Sequence, residues 1–106
     1  MGTLTQVTPP APDLFIAALG AAAQEAAFPW LATLNRAGIT AEMDFSDKSL
    51  KSQMKRADKL GARHVLILGD DELAQGTGQL RDMAAKTQQP IELARAAEEL
   101  ARRLRP

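Results

Sequence analysis

The sequence predicts a single α/β domain, a three-layer α/β/α sandwich around a mixed sheet. Three observations predict it. Short apolar runs of strand length alternate with longer amphipathic stretches of helical period. Glycines follow the helical stretches, where a left-handed residue closes a helix. The connection between the third and fourth strand candidates is too short for a helical crossover, so that pair must be antiparallel. At 106 residues the chain has room for one core and not for two.

Met1–Pro12 carries Pro9, Pro10 and Pro12 and no apolar period, and reads as a linker or tail. The domain proper then spans residues 13–106. Asp13–Leu19 (DLFIAAL) is a continuous apolar run between Pro12 and Gly20, as in a strand buried on both faces. Gly20–Ala37 is an Ala-rich helix whose stripe is Ala23, Ala27, Trp30, Leu34 and Ala37, closed by Gly38. Pro29 lies inside it and should remove one backbone bond and kink or break the helix.

Ile39–Phe45 alternates Ile39, Ala41, Met43 and Phe45 with polar residues, the period of a second strand. Ser46 or Asp47 is placed to cap the next helix, Lys48–Leu60. Its expected apolar face is Leu50, Met54, Ala57 and Leu60, and Gly61 closes it. Arg63–Leu68 (RHVLIL) is a short, β-branched, central strand. Gly69–Gly78 reads as a loop in which Asp70 or Asp71 caps one turn at Glu72–Gln75. Thr77–Met83 is a fourth, more polar strand. Thr87–Ile91 is a fifth, which Pro90 demotes to an edge. Glu92–Leu104 is the last helix, with Arg102, Arg103 and Arg105 at its carboxyl end.

Composition removes several classes of chemistry. The chain has no cysteine and one histidine, His64, which excludes a disulfide scaffold, a thiolate zinc site and a cysteine nucleophile. No run approaches the ~20 apolar residues of a membrane span. The amino-terminal segment lacks the features of a signal peptide, and the cytoplasm is the expected compartment. No phosphate-binding glycine loop and no nucleophile elbow occurs. With no Tyr and three Phe, a broad aromatic stacking platform is not expected. His64, Trp30 and Phe45 fit packing roles.

The formal net charge is zero, yet the charge is segregated. Residues 48–63 carry Lys48, Lys51, Lys55, Arg56, Lys59 and Arg63 against Asp58, a net +5. Residues 1–47 carry −4 and residues 64–82 carry −3. Lys48, Lys51, Lys55 and Lys59 recur at helical spacing and form one row. Such a row is either a solvated helix face or a track for a phosphate backbone. Asp70, Asp71 and Glu72 follow the carboxyl end of a strand, the usual ligand edge of an open α/β sheet. They can cap a helix, bind Mg²⁺ or accept hydrogen bonds from base amino groups. Arg81 can pair with Asp82, Asp71 or Glu72, or present its planar fork to a base or phosphate.

Taken together, "DKSLKSQMKRADKLGARHVLILGDDELAQGTGQLRDM" and the upstream "LNRAGITAEMDF" closely resemble the carboxyl-terminal anticodon-binding domain of histidyl-tRNA synthetases. The resemblance covers roughly Asp13 to Leu104. It implies a five-stranded mixed sheet of order 2-1-3-4-5 with strand 4 antiparallel. It implies docking of the tRNA(His) anticodon stem-loop, whose anticodon is GUG. By similarity to the threonyl relatives, Glu72 and Arg81 match base-contact positions, Asp47 stands where those have an Asn, and Lys55 matches a basic position. Lys48, Lys51, Lys55 and Lys59 would then meet the tRNA backbone.

Catalytic motifs of class II synthetases are absent, so no catalytic residue, no metal and no cofactor is expected of this domain. ATP and Mg²⁺ belong to the catalytic domain of the parent ligase, a further expected partner, and the resemblance implies a homodimeric parent. Two other readings stand beside this one. The first is a phosphate-receiver or small-ligand module using Asp70 and Asp71, although Asp13 precedes the first strand where a receiver needs an acid after it. The second is a free-standing paralogue serving protein–protein assembly.

Overall fold

The computed structural model describes residues 11–44 and 49–104. Leu14–Ala18 forms β1, and all five of its residues are buried. It pairs in parallel with β2 (Ala41–Met43) on one side and with β3 (His64–Leu68) on the other. β3 then pairs antiparallel with β4 (Thr77–Asp82), and β4 with β5 (Thr87–Glu92). The strand order is β2-β1-β3-β4-β5, as the resemblance implied.

The reversal of order at β1 decides where the helices lie. Right-handed crossovers from β1 to β2 and then back to β3 must cross opposite faces of the sheet. α1 (Ala21–Arg36) accordingly packs with α4 (Ala96–Leu104) over Leu14, Ile16, Leu66, Leu68, Leu80 and Ile91. α2 (Leu50–Leu60) covers the other face, over Phe15, Ala17 and Val65. Since α2 sits over β1 and β3, among the described residues no helix covers β4 and β5 on that face.

Several local expectations are corrected. The Gly69–Gly78 stretch is not a loop. It holds a six-residue helix, α3 (Asp70–Gln75), whose first turn carries Asp70, Asp71 and Glu72, the charges a helix amino terminus favours. Neither Asp70 nor Asp71 is the cap. Gly69 takes that position, and the Glu72 carboxylate reaches back to accept its N–H at 2.7 Å. The last helix begins later than Glu92. That residue ends β5, a 3-10 turn follows at Leu93–Arg95, and α4 starts at Ala96. The cap of α2 is Ser49, whose hydroxyl accepts from the Ser52 N–H at 3.2 Å, and not Ser46 or Asp47. Phe45, Asp47 and Lys48 lie outside the described residues.

Pro29 does not break α1, which runs unbroken from Ala21 to Arg36. The ring is on the exposed side, while Ala23, Ala27 and Leu34 hold the buried stripe against the sheet. The remaining cost is the missing donor to the preceding turn. Pro29→Ala is therefore expected to raise stability by roughly 1–3 kcal/mol, read as a higher midpoint in urea unfolding at unchanged slope. An unchanged midpoint would mean that the ring packs as favourably as the lost bond.

The two antiparallel strands are pinned closely. The Leu93 N–H bonds the Gly76 carbonyl at 2.9 Å, which sets the phase of the β4–β5 ladder. Residues 88, 90 and 92 then turn their backbone groups to the free edge, so Pro90 forfeits no ladder bond. Gly78 is closely packed, and a larger residue there would need its leucine neighbours to shift. A Cβ there would stand 3.1 Å from Leu66 Cδ1 and 3.2 Å from Leu93 Cδ2. At the far end, Asp82 Oδ1 accepts from the Ala84 and Ala85 N–H groups at 3.0 Å each. Those bonds, Ala85 foremost, hold its carboxyl below the usual carboxylate range against some burial. The nearby charges of His64 and Arg63 add to the effect. A lowered value means the turn is stabilised above the ordinary carboxylate pKa and loses that support as pH falls through the folded value.

Candidate nucleic-acid interface

The uncovered half of the α2-side face carries the polar side chains of β4 and β5. Arg81 stands opposite Val65 on one side and Gln88 on the other, and Gln79 stands opposite Ile67 and Pro90. Cross-strand partners share a face, so Gln79, Arg81, Gln88 and Pro90 form one exposed sheet surface beside α2. Where that surface meets the helix there is a shallow groove of about 540 Å³. Its floor is Leu50, Met54 and Met83, and its rim is Lys51, Lys55, Asp58 and Arg81.

Why α2 presents those residues follows from its anchoring. Gln53 is fully buried, and its side-chain amide donates to the Ala18 carbonyl at 3.1 Å, at the end of β1. Ala57 is buried beside it. The centre of the buried face is therefore Gln53 and Ala57, with Met54 and Leu60 at its flanks and Leu50 37% exposed. The expected apolar face of Leu50, Met54, Ala57 and Leu60 is thus rotated. A glutamine holds the central place, and its amide satisfies a strand-end carbonyl there.

That rotation aims the charges. At about 100° per residue, a step of four advances 40° around the helix and a step of seven falls back only 20°. Lys51 and Lys55 line the groove; Lys59, two steps of four along, has wound past it. Asp58, seven residues after Lys51, takes the groove position instead. In the charge balance of residues 48–63 Asp58 is only an offset to the basic residues. The signal that finds it is the spacing of seven from Lys51.

The cations of this rim differ from most of the arginines elsewhere in the domain. Arg56 pairs with Asp44, Arg63 with Asp13, Arg95 with Glu98, and Arg102 and Arg103 with Glu99. Among the described residues, none of Lys51, Lys55, Asp58 and Arg81 forms an ion pair. The alternative pairings of Arg81 with Asp82, Asp71 or Glu72 are not formed. Asp82 points to the other face and approaches His64, Oδ2 to Nε2 3.7 Å. Three unpaired cations around an apolar floor make a surface for an anion with a flat apolar part, the description of a single-stranded nucleotide.

Comparison with known proteins decides the family. Residues 13–103 match the family model described as the anticodon binding domain. The chain belongs to the anticodon-binding domain family. A histidine–tRNA ligase of Syntrophotalea carbinolica is 57% identical over 88 residues, covering 83% of this chain and 21% of that protein. The apo histidyl-tRNA synthetase of S. aureus superposes with a TM-score of 0.78 at 34% identity, covering 87% of this chain and 24% of that one. The RNA-binding domain of threonyl-tRNA synthetase from Cryptosporidium parvum superposes at a TM-score of 0.74 with 17% identity, a likeness of fold. The chain thus spans about one fifth of the length of the histidine–tRNA ligase it matches.

Within this anticodon-binding domain the expected base-contact residues are not all together. Arg81 faces Val65 low on β3, whereas Glu72 follows the top of that strand at Gly69. Four strand positions separate Val65 and Gly69, about 13 Å at 3.3 Å per residue. Glu72 also spends one carboxylate oxygen on the Gly69 N–H. Asp70 and Asp71 are exposed in the first turn of α3, and among the described residues no group of three or more His, Cys, Asp or Glu is placed to hold a metal ion. Asp13 accepts from the Thr40 N–H at 3.0 Å and lies 3.9 Å from Arg63, before β1, on the opposite end from α3.

Proposed function

We propose that this domain is the anticodon-recognition module of a histidine–tRNA ligase and binds the anticodon stem-loop of tRNA(His). The likeness to histidine–tRNA ligases, at more than half identity over most of the chain, carries the reading. The unpaired cationic rim of the α2–β4 groove supports it. Attachment of histidine, with ATP and Mg²⁺, is the work of a catalytic domain, which is also the module's second partner. The setting is a cytoplasmic, homodimeric enzyme.

In this reading the work divides by chemistry. Lys51 and Lys55 neutralise phosphates, Lys59 lies to the side of the groove, and Lys48 is a further phosphate contact proposed from the sequence alone. Arg81, fixed on a strand that is paired with a neighbour on each side, gives direction as well as charge. Glu72 contacts a base at the carboxyl end of β3, and Asp47 lies just before α2. Titration of a fluorescent histidine anticodon stem-loop at low salt tests the proposal. Weak, salt-sensitive binding that prefers the GUG loop over a scrambled one is expected. Equal binding of both loops would reject anticodon recognition.

A further inference from the structure

The carboxylate of Asp58 is the feature of the groove that phosphate binding does not explain. It is exposed, shares the rim with Lys51, Lys55 and Arg81, and pairs with none of them among the described residues. A negative charge in a phosphate track repels the ligand, so its use must lie elsewhere. We infer that the α2–β4 groove seats one unstacked guanine and that Asp58 accepts the hydrogen bonds of its Watson–Crick edge. The inference rests on the anticodon reading and adds to it a residue that determines which base is taken.

The chemistry runs as follows. A base leaving the stack needs an apolar bed, and Leu50, Met54 and Met83 supply one. Two of them are methionines, whose thioethers pack well against aromatic rings. Cations at Lys51 and Lys55 hold the phosphates on either side of the splayed nucleotide. Guanine is the base that presents two adjacent donors, N1–H and the N2 amino group. A carboxylate is acceptor-only and can take both at once. Adenine, cytosine and uracil each present a single donor group on that edge beside an acceptor, so a carboxylate that bonds the donor is set against the acceptor's lone pair. Arg81, across the groove from α2, is free to lie against the ring or bond its O6 and N7 side.

Asp58→Asn gives a test in which the sign decides. If Asp58 acts only through its charge, removing that charge tightens binding of every RNA. If it reads guanine, the variant binds the GUG stem-loop about tenfold more weakly, because the new amide turns a donor towards donors. Stem-loops in which inosine replaces each guanine in turn complete the experiment, since inosine lacks the N2 amino group. The unchanged protein is expected to lose about tenfold on one of the two inosine loops, and Asp58→Asn to show no such difference. Tighter or equal binding by Asp58→Asn, with the unchanged protein still preferring GUG, overturns this inference alone. No preference for GUG by the unchanged protein overturns the anticodon reading and this inference with it. Circular dichroism of Asp58→Asn, a substitution on an exposed helix face, checks that the fold is intact.

Discussion

Removing the two groove lysines together, as Lys51→Ala/Lys55→Ala, is expected to weaken stem-loop binding at low salt by roughly 10- to 100-fold. It should also flatten the plot of log affinity against log salt by about 1.4, from the ~0.7 per phosphate contact found for single strands. Lys59→Ala is the internal comparison. It has the same charge and helix and stands four residues from Lys55, but it has wound out of the groove. Its slope should change far less. Arg81→Ala should differ in kind. Its loss should depend on the bases in the loop, because a guanidinium fixed on a strand reads shape as well as charge. Equal slope changes for Lys51, Lys55 and Lys59 would mean that the row acts as a diffuse basic face and the groove has no special part. Isothermal titration at three or more salt concentrations separates these outcomes.

Much of this arrangement was legible in the residues, and the exceptions share a cause. The apolar run of β1, the short link between β3 and β4 and the edge position of Pro90 each follow from a local rule that tertiary structure did not override. The α2 face was misplaced because an apolar-polar pattern assigns Gln53 to solvent. Its amide meets a carbonyl that no local pattern reveals, that of Ala18, contributed by a strand 35 residues earlier in the chain. The three acids and flanking glycines of α3 are turn composition and predict a loop. They also suit a helix amino terminus, and the Glu72 bond to Gly69 decides between the two. A row traced in steps of four drifts around the helix and so passes Asp58 by. Once Gln53 fixes the rotation of α2, the residues at Lys51, Lys55 and Asp58 become one rim. A zero net charge likewise concealed the interface. Among the described residues, Asp13, Asp44, Glu98 and Glu99 pair with arginines, and the cations beside the groove stay unpaired.

The largest effect on stability is expected at Phe15. It is 1% exposed and is the large side chain of the α2-side core, whose other buried members are Ala17, Ala57, Ala62 and Val65. Met54, Leu60, Ile67 and Met83 pack against the same cluster and can fill only part of the space a phenyl ring leaves, so Phe15→Ala should cost about 3–5 kcal/mol. Against a total of about 5–15 kcal/mol for a domain, the variant would be marginal. Its consequence for function is specific, because this core is the seat of α2. Leu100→Ala removes a fully buried side chain on the opposite face, at about 2–5 kcal/mol, and leaves that seat intact. In the fraction that stays folded, Leu100→Ala should bind the stem-loop as the unchanged protein does. Phe15→Ala should bind it poorly, although Phe15 touches no solvent and no ligand. Urea unfolding gives the first quantity and titration below each midpoint the second. If the two variants bind alike once corrected for folded fraction, the position of α2 does not depend on its seat, and the groove is built by Gln53 and the Ser49 cap alone.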